Sequence, residues 1–559
     1  MPEEAFRYRV GFLGCPVRTI PNWSEANLGR LKECGFNTVQ LNVAWGSRPG
    51  AEAVNLEDVV ELPPGRQGDL ASATPMLGDQ SPEHREWRRE GLRRRIDLCR
   101  QLGLRTIFHF GAPYVGDQFI ADAPANCLLD GRTGERCVLL LQQFAADFPG
   151  VDDILVYTYD QHAWLCSEFG PCPRCTGKPL HERAVPFLEE LARTWQRVSP
   201  HGRLWWEPWE LSGGQVLRCV ERVAPEGFGL ALHCNIAEVM ATFTADRWLR
   251  NTVSLAAERG IPAIAEYWLG SASEELEPYT RIPYPLVTLR GLRSLAGVAG
   301  LAGVKEYYGL LPDTDDPNLG ITALFFEDSR ISEDEALNRL ASHYGVVADA
   351  LVEFWRLTSL AIDLFPWETS WLIRALGRSD PSHSMSAALV RGVPWHTPSW
   401  SSTRRSVFMV VDTADPPDPW MLEDLQLRCE MAAARIDEAL RLGADIVTRA
   451  PDELAVSFPQ SLLELREAQR RVLAYAYHAR ETNLSTVMRE LRRQGSRVPK
   501  SVLAEMLRLL EDDRANQGHE EPVTAAIALL NHDVDGFLET SFQPDADEIS
   551  KGYNSMTSR

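Results

Sequence analysis

RLWWEPWELSGGQVLRCVERVAPEGFGLALHCN, residues 203–235, holds one complete strand–helix–strand unit. An apolar run reaches a proline at 208, the amphipathic GGQVLRCVERV follows, and FGLALHCN is again short, apolar and β-rich. A helix between two such runs implies parallel strands joined by a right-handed crossover. The unit recurs on both sides. Upstream lie RVGFLGCP (9–16), NTVQLNVAWG (37–46), RTIFHFGAP (105–113) and DDILVYTYD (152–160). Downstream lie PAIAEYWLG (262–270) and GVKEYYGLL (303–311). Helical patterns such as HERAVPFLEELARTWQRV and RWLRNTVSLAAERG separate them. Eight units in about 320 residues predict a (β/α)8 TIM barrel. An open doubly wound sheet is the alternative, but no glycine-rich phosphate loop follows the first run.

Connection lengths agree with a barrel. Helix-to-strand links are short, while strand-to-helix links are long at 47–81, 113–134 and 160–180. In a barrel the long links share the C-terminal face, where active sites are built. Beyond residue 320 a helical period takes over. The sequence therefore predicts a barrel over 1–320 and a mainly α-helical domain over 321–540. The helical domain contains an irregular Trp/Pro/Ser-rich segment at 378–420, with Trp395 and Trp400, and a disordered tail follows at 541–559.

Of 559 residues, 57 are Lys or Arg and 78 are Asp or Glu, a formal charge of −21. Such acidity argues against nucleic-acid or anionic-membrane partners. No apolar run approaches the ~20 residues of a membrane helix. MPEEAFRYRVGFLG carries acids where a secretory signal carries bases, and the 11 cysteines are scattered and odd in number. Both features predict a reducing, cytoplasmic setting.

The strand ends carry the candidate chemistry. Asp160 closes the fourth run, Glu207 the fifth, Glu266 the seventh and Glu306 the eighth, while His233 and Asn235 end the sixth. His109 lies on the third, Asn42 and Trp45 on the second, Arg18 follows the first and His162 follows the fourth. A lone carboxylate at a strand end is most often a cap or a surface ion pair. Four on one face, each beside Trp or Tyr, suit sugar chemistry. Crowded carboxyls separate their pKa values and supply both an acid and a base, while aromatic faces stack on sugar rings. Strand alternation puts Trp205 on the side of Glu207 but deeper, and turns Trp206 toward the helices. Trp209, Tyr267, Trp268 and Tyr307 remain as aromatic candidates for substrate. By the same alternation Lys305 should point away from the lumen and Glu306 into it, which removes the lysine a Schiff-base aldolase would need.

With these residues in view, the chain resembles TIM-barrel glycoside hydrolases, nearest in look to α-glucuronidase and β-N-acetylhexosaminidase-like barrels, over about residues 8–320. The resemblance implies a glycosidase acting on small oligosaccharides or glycosides, with no cofactor needed for chemistry. It also implies a nucleophile at the end of strand seven, which is Glu266, and an acid at the end of strand four, which is Asp160. Asp160 lacks the Asn-Glu or Asp-Glu pair of the familiar clans. Glu207 is therefore the preferred proton donor, with the reverse assignment still open. The alternatives are a sugar-binding barrel or a metal-dependent hydrolase or isomerase, the latter with zinc on His109 and His233. Neither histidine has the H-x-H or H-E-x-x-H spacing that zinc would favour.

CSEFGPCPRCTG places Cys166, Cys172 and Cys175 in the fourth strand-to-helix loop. This spacing suits a structural zinc knuckle, with Cys127, Cys137, His162 and His181 as candidate fourth ligands; unligated thiols and a disulfide are the other readings.

Overall fold

The computed structural model describes residues 6–15, 17, 21–44, 52–62, 81–111, 126–158, 166, 168–208, 211, 213–233, 244–273, 276–367, 419–449, 451, 454–517 and 520–540. Eight parallel strands form a closed barrel in sequence order. They are β1 (Tyr8–Gly11), β2 (Thr38–Gln40), β3 (Arg105–Gly111), β4 (Asp153–Tyr157), β5 (Leu204–Glu207), β6 (Phe228–His233), β7 (Ala263–Tyr267) and β8 (Leu301–Glu306). The helices around them are α1 (Glu25–Glu33), α2 (Pro82–Gln101), α3 (Gly131–Asp147), α4 (Leu180–Val198), α5 (Gly213–Val220), α6 (Arg247–Glu258), α7 (Pro285–Ala296) and α8 (Pro317–Glu327). Side-chain caps start several of them: Ser24 accepts from Asn27 N–H, Asp130 from Arg132 N–H and Asp246 from Leu249 N–H.

Strand alternation divides the apolar residues into two cores. Tyr8, Val10, Ile107, Leu155, Trp205, Ala231 and Ile264 fill the lumen. Their neighbours, among them Val39, Phe108, Ile154, Trp206, Leu230 and Tyr267, pack outward under the helices. Trp205 forms the floor beneath the site. Its Nε1–H donates to Asp153 at 3.2 Å, and Tyr8 meets it edge-on at 5.0 Å. A β-carbon at Gly229 would come within 2.5 Å of that indole ring, so the opposing strand needs a glycine there.

The 320/321 boundary is corrected, because it cuts through α8, the eighth helix of the barrel. The helical domain comprises α9 (Glu333–Ala341), α10 (Ala348–Leu364), α11 (Pro419–Arg449), α12 (Ser457–Arg493), α13 (Lys500–Gln517), α14 (Glu520–His532) and α15 (Val534–Thr540). It is fastened to the barrel at the segment after β7. Glu464 accepts from Thr280 and Arg281 N–H at 2.9 and 2.7 Å, and Ser461 Oγ donates to the Arg281 carbonyl. Among the described residues no helix is long and apolar enough to cross a membrane. The Trp395/Trp400 segment and the 541–559 tail lie outside the described residues.

Candidate active site

Glu207 is the last residue of β5 and Glu266 the last but one of β7, with β6 between the two strands, and both are buried. Glu207 shares its face with Trp205, and Glu266 shares its face with Ile264. The backbone carbonyl of Glu207 is fixed by Thr158, whose N–H and Oγ–H both donate to it, at 3.2 and 2.9 Å. Its carboxyl is treated differently: neither oxygen accepts a hydrogen bond from a protein donor. The Glu266 carboxylate is close enough for its charge to act on Glu207. Burial pushes the Glu207 carboxyl well above the usual carboxylate range. The Glu266 charge adds to the rise and Lys305 opposes it.

Lys305 completes the cluster and corrects the strand-eight reading. Val10 pairs with Lys305, as does Glu266, and the β7/β8 register shifts between Ala263 and Ile264. The lysine therefore faces inward and donates from Nζ to Glu266 Oε1 at 2.5 Å. Burial alone would lower its pKa, but the charges of Glu266 and Glu207 outweigh that, and the net direction is up. Glu306 faces the other way. It accepts from the backbone N–H groups of Leu269, Tyr308 and Gly309 at 2.7–3.0 Å and ties the end of β8 to the segment after β7.

His109 stands across the cluster, with Nε2 3.7 Å from Glu207 Oε2. Its Nδ1 is approached by two donors, Gln40 Nε2 and Ala44 N–H, each at 3.2 Å. Two donors require a lone pair on Nδ1, so the neutral ring carries its proton on Nε2, toward Glu207. Tyr157, on the inward side of β4, meets His109 edge-on at 5.7 Å. His233 and Tyr307 pair at 4.9 Å.

Other candidates turn out to be scaffold. Asn42 spends its whole carboxamide on backbone: Nδ2–H groups reach Ala53 and His109 carbonyls, and Oδ1 accepts His109 N–H. Tyr267 points outward and donates to the Val287 carbonyl. Trp268 is buried between Tyr284 and Trp367 of the helical side, not exposed at the mouth. Arg18, Trp45, Asp160, His162, Trp209 and Asn235 lie outside the described residues. The sequence reading missed Tyr157, which alternation from Leu155 would have placed inward, and Gln40, which orients His109. Among the described residues, the one group of three or more clustered metal-ligand side chains is Cys127, Cys166, Cys172 and Cys175.

With this geometry, the barrel overlays on a GH138 enzyme targeting pectin rhamnogalacturonan II with a TM-score of 0.60 and 11% identity. The match covers 99% of this chain, which spans 66% of that protein. Its fold is that of a known glycoside hydrolase. The Thermobaculum terrenum O-GlcNAc hydrolase is also similar, at a TM-score of 0.43 and 12% identity over 99% of this chain and 97% of that one. No family model and no curated protein sequence matches the chain.

Proposed function

We propose that this protein is a glycoside hydrolase in which Glu207 protonates the leaving oxygen and Glu266 attacks the anomeric carbon. The carrying observation is the unequal setting of two adjoining carboxyls. Burial and a neighbouring charge hold the proton on Glu207, while Glu266 is bonded to the Lys305 ammonium. A protonated acid beside an ionised base is what glycosidic cleavage requires. Small oligosaccharides or glycosides are the proposed substrates. The second reading, a Schiff-base enzyme, gains a lumen-facing lysine. It loses on protonation, because the Glu266 carboxylate bonded to Lys305 holds it as the ammonium and a nucleophilic amine must be neutral.

The test is turnover of oligosaccharides and alkyl glycosides, which have poor leaving groups, by Glu207→Gln and Glu266→Ala, and of an aryl glycoside by Glu266→Ala with azide added. Loss in both variants, and recovery of a glycosyl azide of inverted configuration from Glu266→Ala, is the expected result. Full turnover by either variant removes the assignment. Borohydride trapping of a carbonyl substrate on Lys305 would establish the second reading instead.

A further inference from the structure

Four cysteines outside the carboxylate site converge in space from two separate loops. Cys166, Cys172 and Cys175 lie between β4 and α4, and Cys127 lies just before α3, 39 residues ahead of Cys166 in the chain. All four are buried. Their sulfurs lie within 4.8 Å of one another, with Cys127 to Cys175 at 3.3 Å and Cys127 to Cys172 at 3.9 Å. A zinc tetrathiolate with ~2.3 Å bonds has tetrahedron edges of ~3.8 Å. A disulfide needs sulfurs ~2.05 Å apart, and no such pair occurs among the described residues.

The backbone around the cluster is shaped for ligation. Cys175 and Thr176 N–H both donate to the Cys172 carbonyl at 3.0 Å, forming the tight turn of a C-x2-C knuckle, and Gly177 follows with φ 72°. Two arginines flank the cluster: Arg174 donates to Asp130, the cap of α3, at 2.7 Å, and buried Arg183 donates to the Cys166 carbonyl. A tetrathiolate zinc carries two net negative charges, and these two arginines supply the compensation in a site with little access to water.

We propose that Cys127, Cys166, Cys172 and Cys175 hold one structural zinc ion that clamps the β3–α3 connection to the β4–α4 connection. Both connections leave the barrel on the face that carries His109 and Tyr157, so the clamp fixes one wall of the candidate site from outside. It has four protein ligands and no open position, which makes its role one of folding rather than chemistry. The proposal stands independently of the glycosidase reading.

Metal analysis of the full-length protein, purified without added metal, tests it. About one zinc per chain is expected. Titrating the folded wild-type protein with a mercurial should release that zinc in step with blocking of four thiols, as read by a metallochromic dye. Cys127→Ser and Cys175→Ser should lower zinc content at least tenfold, whereas Cys219→Ser, at a buried cysteine in α5, should retain it. The wild-type titration keeps the test decisive if a variant fails to fold. Metal-free protein that takes up no zinc under reducing conditions overturns the proposal. So do bound iron with thiolate charge-transfer colour, and a mass deficit of two hydrogens per cysteine pair.

Discussion

Lys305 Nζ lies 2.5 Å from Glu266 Oε1, and both side chains are only 1% exposed. Glu207 adjoins the pair. A buried pair of this kind adds little net stability while intact, but breaking it leaves a charge without compensation.

Lys305→Met should therefore destabilise the barrel by about 3–5 kcal/mol in chemical denaturation. Without the cation, Glu207 holds its proton more tightly, so the alkaline limb of kcat/KM should move to higher pH. Lys305→Met combined with Glu266→Gln should recover stability but not activity. An unchanged pH profile in Lys305→Met would remove the lysine from the site.

Glu207 ties activity to pH with a definite sign. A proton donor works while protonated, so activity should fall as pH rises through the raised Glu207 pKa. Glu207→Gln should cost about 10²–10⁴-fold on substrates with poor leaving groups and much less on activated aryl glycosides. The stability sign is opposite to that of an ion-paired acid. The folded state binds this proton more tightly than the unfolded chain, so stability falls as pH climbs from the ordinary carboxylate value through the raised one. Glu207→Gln removes that dependence, and its stability relative to wild type should be greater at pH 7 than at pH 4.

Glu306 predicts a structural defect, not a catalytic one. Its oxygens accept three backbone N–H groups, and burial pushes its pKa up to about 7. Glu306→Gln turns an amide N–H toward one of those donors and should cost about 1–3 kcal/mol. Denaturation midpoints should drop while the alkaline limb of activity keeps its position. A moved limb with unchanged stability would return Glu306 to the catalytic group.

Gly229→Ala tests the floor. A β-carbon there meets the Trp205 ring at 2.5 Å, so about 1–3 kcal/mol of overpacking cost is expected. The loss should be visible by denaturation and by altered tryptophan fluorescence. A neutral result would mean that the floor yields easily.

Much of the fold was legible because barrel signals are local. A short apolar run, a turn and an amphipathic helix are written in about forty consecutive residues, and eight repeats leave few topologies. Within β5, alternation also separated Trp205 from Trp206 correctly, since both residues sit in one unbroken strand. The site was legible only in part. Glu207, Glu266 and His109 come together as expected, but Tyr267, Trp268, Asn42 and Glu306 serve the scaffold.

The sequence by itself determined the order of strands, the strand ends at which chemistry is possible, and three of the four clustered cysteines. Tertiary structure decided which way β8 faces, which residue pairs with Glu266, and that Cys127 joins the knuckle. Alternation sets the facing of residues relative to one another within a strand, but absolute facing depends on register against the neighbours. A shift of one residue exchanges the two faces, and the irregular β7–β8 pairing exchanged Lys305 with Glu306. The fourth thiol lies 39 residues from the next in sequence, and only the parallel neighbouring of β3 and β4 brings it near.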